Sequence, residues 1–183
     1  MRNISDERRM AVWMAVRVIA FTAMRPKEVL WLGPKDVTDR WIKIRKSKTH
    51  ASERCIPLQP EIADFPAFFH AGGFKCFESQ TKDRVQSVRH NFQRLTRDLM
   101  DPPMDDPRQV LYSLRSTFSN AMRRARADEP MRRAVLGHST PGSLGNYDDG
   151  PEFDLKRNAI RATDPRRVYA DPGEDDDLGT DDE

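Results

Sequence analysis

Apolar side chains recur at helical spacing near the start of the chain. Val12, Trp13, Val16, Ile19 and Ala20 read as the inner stripe of an amphipathic helix. Ser5-Asp6-Glu7 offers a capping residue and first-turn acids where that helix begins. Its end falls near Met24-Arg25, because Pro26 disfavours α geometry in the residue before it. Pro26 then suits the first position of a second, short helix carrying Glu28, Val29 and Leu30, and Gly33-Pro34 breaks the chain.

From there the period changes to two. Asp36-Val37-Thr38 and Trp41-Ile42-Lys43-Ile44-Arg45 read as strands, with Ile42 and Ile44 opposed to Trp41 and Lys43. After a polar loop from Lys46 to Glu53, Arg54-Cys55-Ile56-Pro57-Leu58 reads as the returning strand. Pro57 puts it at an edge or at its own end. Helical spacing resumes from Pro60, interrupted by a turn at Gly72-Gly73.

A helix is expected over Arg84 to Met100, with Val85, Val88, Phe92, Leu95 and Leu99 on one side. The proline-rich run Asp101 to Pro107 ends it. A long helix follows over Gln109 to Ala127, with Leu111, Leu114, Phe118 and Met122 as its core stripe. A short one over Met131 to Leu136 is stopped by Gly137, and a last amphipathic one runs from Phe153 to Ala162. The expected fold class is α+β, mainly α, with one small three-stranded antiparallel sheet.

Composition narrows the setting. In 183 residues there is room for one ordinary domain with a real core. No run reaches the roughly 18 apolar residues of a membrane helix, since Arg17 interrupts the longest stretch, Ala11 to Met24. The N-terminus lacks the basic-then-apolar order of a signal peptide. Cys55 and Cys76, without CxxC spacing, point to reduced thiols in a cytoplasm, and the histidines show no zinc pattern. The net charge of +2 conceals an asymmetry. Residues 173 to 183 hold seven acids and no base, whereas positions 1 to 172 hold 31 basic and 22 acidic residues, a net of +9. A basic body with an acidic tail is a composition of nucleic-acid binders.

Cutting a DNA strand without a metal sets a definite demand on side chains. The phosphodiester is an anion, so guanidinium groups must neutralise it before an oxygen can attack. A hydroxyl nucleophile then forms a covalent phosphoester, and the leaving 5′-oxygen needs a proton from a Lys or His. Four segments supply such a set in order. They are Thr22-Ala23-Met24-Arg25-Pro26-Lys27-Glu28, then Ile44-Arg45-Lys46-Ser47-Lys48-Thr49 with its returning strand, then Leu111-Tyr112-Ser113-Leu114-Arg115, and finally Leu136-Gly137-His138 with Tyr147 nine residues on.

In that order and spacing the four segments resemble the catalytic domain of the tyrosine site-specific recombinases, the phage-integrase family, from Thr22 to Tyr147. The resemblance implies a catalytic domain over residues 1–165 and an acidic, disordered tail over 166–183. It also implies a separate core-binding domain before the first catalytic helix, and this chain is expected to lack it. Arg25 and Arg115 would clamp the scissile phosphate, Glu28 would orient Arg25, and Lys48 would protonate the leaving 5′-oxygen. His138 would bond the phosphate or help move a proton at Tyr147, and Tyr147 would attack to give a 3′-phosphotyrosyl link. Tyr112 stands where the family usually has His; a phenol can donate to a phosphate but is no acid–base group at neutral pH.

The implied partner is double-stranded DNA at attachment sites, engaged as a homo-tetramer by the full-length protein in a bacterial cytoplasm, with no cofactor and no metal. Arg45, Lys46, Arg123, Arg124 and Arg126, with Arg132 and Arg133, are candidate phosphate contacts; the bland alternative is a solvated basic face. Two rivals share the chemistry's setting: a DNA-binding homologue of the same fold that no longer cuts, and a type IB topoisomerase-like relaxase.

Overall fold

The structure, a computed structural model, describes residues 4–45, 53–78, 83–138 and 153–166. Among these residues lie the helices α1 (Asp6–Thr22), α2 (Pro26–Leu30), α3 (Phe65–His70), α4 (Arg84–Gln93), α5 (Ser113–Arg124), α6 (Glu129–Leu136) and α7 (Phe153–Arg161), and the strands β1 (Trp41–Ile44) and β2 (Arg54–Pro57). Helix α1 is the hub, packed on α5, α2 and α4, while α7 and α6 cover β2. Val12, Val18, Ile19, Phe118 and Met122 form the centre of one apolar cluster that also takes in Ile42, Ile56 and Leu136. None of the described helices is long and apolar enough to cross a membrane.

The mainly helical α+β class holds, but among the described residues the sheet has two strands rather than three. Trp41 pairs with Pro57, Ile42 with Ile56, Lys43 with Cys55 and Ile44 with Arg54. Val37 contributes only an isolated bridge to Ile42. Side-chain bonds explain this: the Asp36 carboxylate accepts from the Gly33 N–H, and Thr38 Oγ1 accepts from the Arg40 and Trp41 N–H groups. Residues 33–41 are thereby folded into tight turns, which leave too little extended backbone for a strand.

Several helices depart from expectation in span or in burial. Helix α5 begins at Ser113 instead of Gln109, because Ser113 Oγ exchanges hydrogen bonds with the backbone of Val110 and holds residues 110–113 in a turn. Helix α4 stops at Gln93 and continues as a π-helical segment, Arg94–Asp98. The wider π turn rotates the side chains that follow, so Leu99 is exposed rather than in the expected stripe. In α1, Trp13, expected on the inner stripe, is 52% exposed, and Met14 is buried instead. Arg17 stacks on the Trp13 ring at 4.1 Å and holds it at the surface. Ser5 makes no side-chain cap, although the acids Asp6 and Glu7 occupy the first turn.

Candidate active site

Two turns, one strand end and one helix start meet beside the core. The first turn follows α1. Ala23 takes a left-handed conformation, φ 54°, and its N–H bonds the Ile19 carbonyl. A non-glycine residue there costs roughly 1–2 kcal/mol. The turn points the Ala23 carbonyl at α5, where it accepts from Nη1 of Arg115. Nη2 of the same guanidinium donates to the Leu136 carbonyl at the end of α6, and approaches Nε2 of His138 at 3.2 Å. Arg115, 3% exposed, thus fastens α1, α5 and α6 together while standing in the cluster it helps to build.

Arg25 forms the N-cap of α2, in extended geometry. Its Nη1 and its backbone N–H both donate to Glu28, at 2.7 Å each. The expected link between Arg25 and Glu28 is therefore present, and Arg25 stays one-third exposed. Glu28 has a further partner. Arg54, at the start of β2, meets it with both Nη atoms, at 3.2 and 2.9 Å, and Nε of Arg54 donates to the Val135 carbonyl at 2.8 Å.

From sequence alone, Arg54 reads only as a strand residue. A signal did exist. Arg54 pairs with Ile44 and lies two residues from Ile56, so strand alternation turns it to the inner face. A charged residue facing inward needs a charged partner, and Glu28 is that partner.

The charge balance favours anions. Three guanidinium groups stand against one carboxylate. Burial pushes the Glu28 carboxyl up, yet the hydrogen bonds and charge of Arg54, with the hydrogen bonds of Arg25, outweigh it and hold it below its ordinary 4.5. Burial pulls Arg54 down, against the support of Glu28. Arg115 is pushed down to about 10, by burial first and then by the charges of Arg25 and Arg54, and stays cationic at neutral pH. His138 is held below 6.5, again by burial first and then by Arg115, Arg25, Arg133 and Arg54. A neutral imidazole among cations leaves the excess positive charge for an incoming ligand.

Of the residues singled out from sequence, the structure brings together Arg25, Glu28, Arg115 and His138. Tyr112 lies at the N-cap of α5, 51% exposed, and its hydroxyl bonds none of the described residues. Lys46, Lys48 and Tyr147 lie outside the described residues. Arg45 pairs with Asp36, while Arg123 and Arg124 are exposed at the far end of α5 and Arg126 is exposed just past it. Arg123 lies eight residues from Arg115, roughly 12 Å along the helix axis. Arg133 pairs with Glu129 at 2.5 Å.

Comparison with family models and with curated proteins gives no match. Among solved structures, the integrase from mycobacterium phage Brujita superposes with a TM-score of 0.61 at 15% identity, over 93% of this chain and 56% of that one. The Tn1549 transposon integrase, solved in complex with transposon right end DNA, gives 0.54 at 16% identity, over 87% of this chain and 65% of that one. The chain therefore has the fold found in these integrases and spans less than two-thirds of the length of either. At such identities the likeness is one of fold.

Proposed function

We propose that this domain cleaves and rejoins duplex DNA as a tyrosine recombinase, with Tyr147 as the nucleophile. The observation that carries the reading is the convergence of Arg25, Arg115 and His138, from three separate segments, into one cation-rich cluster on an integrase fold.

The phenolic oxygen of Tyr147, its proton released to solvent, attacks phosphorus as the bond to the 5′-oxygen breaks. This leaves a 3′-phosphotyrosyl link and a free 5′-hydroxyl. Lys48 delivers the proton to the departing 5′-oxygen. Arg25, partly exposed, takes the non-bridging oxygens, and Arg115 adds fixed positive charge behind it, stabilising the pentavalent transition state. Because Nε2 of His138 faces the Arg115 donor, the ring proton sits on Nδ1. This favours His138 as a donor to phosphate over a role as proton acceptor at Tyr147. Attack by the 5′-hydroxyl of a partner strand reverses the step and exchanges strands. A homo-tetramer of the full-length protein on paired attachment sites supplies that partner, in a bacterial cytoplasm.

The test is a nicked duplex carrying the attachment site, from which the cleaved 5′ fragment diffuses away and traps the covalent intermediate. The wild-type chain joined to its upstream domain forms an adduct, and Tyr147→Phe forms none. Site-specific DNA binding without an adduct would favour the non-cutting homologue, to which the substitution of Tyr112 for His points. Relaxation of any supercoiled plasmid would favour the topoisomerase.

A further inference from the structure

We infer that Arg54 is the positioning residue of the anion site: it fixes Glu28, and through Glu28 it holds Arg25 toward phosphate. The choice of phosphate as ligand rests on the recombinase reading.

The Glu28 carboxylate has about four lone-pair positions, and four donors fill them. Oε1 accepts from Nη1 of Arg25 and Nη1 of Arg54, and Oε2 accepts from the Arg25 N–H and Nη2 of Arg54. The two arginines use it differently. Arg54 meets it with the two-pronged fork that fixes a carboxylate plane, and its side chain is 3% exposed. Arg25 touches it through Nη1 alone among its side-chain nitrogens and is 34% exposed, so Nε and Nη2 have no partner among the described residues. Arg54 is the anchor and Arg25 the presenting group.

The anchor is itself held. Nε of Arg54 donates to the Val135 carbonyl, which ties β2 to the last turn of α6 and so to His138. Gly137 closes that turn with φ 64°, and a Cβ added there would lie 2.4 Å from Nη1 of Arg54. A side chain at 137 and the guanidinium of Arg54 cannot share this space. One guanidinium therefore sets the relative placement of the segments bearing Arg25 and His138, from a strand that begins six residues after Lys48.

The test uses the 183-residue chain and inorganic phosphate at low ionic strength, with NMR of the Arg25 guanidinium and the His138 ring. Arg54→Lys keeps the charge but cannot make the two-pronged contact and also reach Val135. The wild type shows phosphate-dependent shifts at both groups. Arg54→Lys, folded by circular dichroism, weakens phosphate binding tenfold or more and changes the Arg25 guanidinium signal in the absence of ligand. Should Arg54→Lys fail to fold, Gly137→Ala displaces the same guanidinium with its charge intact and gives the same loss. Binding within twofold of wild type in either folded variant overturns the inference, as does the absence of phosphate-dependent shifts in the wild type. Cleavage is not read in this experiment. Failure of the recombinase reading would show separately, as intact phosphate binding and its loss in Arg54→Lys without any DNA adduct.

Discussion

Nη2 of Arg115 and Nε2 of His138 lie 3.2 Å apart, and a guanidinium nitrogen can only donate. The imidazole must therefore accept at Nε2 and carry its proton on Nδ1. Together with the lowered pKa, this relationship favours the neutral ring protonated at Nδ1 over the imidazolium. It also joins the segment after α6 to α5, so the imidazole shares a position with a cation it would repel if it were protonated.

A pH dependence follows. The folded pKa of His138 lies below its ordinary 6.5, so the unfolded chain binds the proton first as pH falls. The stability contribution is complete above 6.5 and is lost as pH falls from 6.5 through the lower, folded value. NMR titration of the His138 ring should give a midpoint below 6.5, and Arg115→Met should move it upward. A midpoint at or above 6.5 in the wild type would contradict the neutral tautomer.

Glu28→Gln should be costly. It replaces a carboxylate oxygen with an NH₂ group that faces guanidinium donors, and it leaves Arg54 buried without the charge it was paired with. Breaking a buried ion pair costs about 3–5 kcal/mol. Denaturant unfolding should show a loss of about 3 kcal/mol, since the Arg54 bond to Val135 survives. The wild type should also lose stability as pH falls below 4.5, through the lowered pKa of Glu28. That acid-limb contribution should be missing in the variant.

Arg115→Lys keeps a positive charge in the cluster but not the geometry. One ammonium cannot serve the Ala23 and Leu136 carbonyls and His138 together. Each buried acceptor left unpaired costs about 1–3 kcal/mol. A drop in unfolding free energy of at least 1 kcal/mol is expected, with loss of any DNA cleavage. Unchanged stability would mean the two carbonyls are not held by Arg115.

The chain pattern disclosed much of this in advance, and unevenly. The mainly helical class, the break at Pro26 and the stop at Gly137 were readable because proline and left-handed glycine act locally. So was the pairing of Arg25 with Glu28, three residues apart. The Arg115 contacts were not readable, since they join residues 92 and 21 positions apart. The π segment after α4 was hidden as well. Its apolar spacing continues the helical pattern, and only the change of hydrogen-bond register moves Leu99 outward. Trp13 misled because a large aromatic at a core-like position reads as buried, while the Arg17 stack keeps it at the surface.

Arg123 and Arg126 test the breadth of the proposed DNA surface. Each phosphate contact adds roughly 0.9 to the slope of log affinity against log salt on duplex DNA. Arg123→Ala and Arg126→Ala should each lower that slope by about 1, with little change in sequence preference. Slopes equal to wild type would assign these arginines to a merely solvated face.

Recombinase chemistry requires that one phenol, that of Tyr147, become bonded to DNA phosphorus. The chain holds three tyrosines, Tyr112, Tyr147 and Tyr169, so the site of linkage can be read directly. Protease digestion of the trapped protein–DNA adduct, followed by mass spectrometry, should find the nucleotide on the peptide containing Tyr147. A nucleotide on Tyr112 or Tyr169, or no adduct from protein that binds its site, would contradict the account.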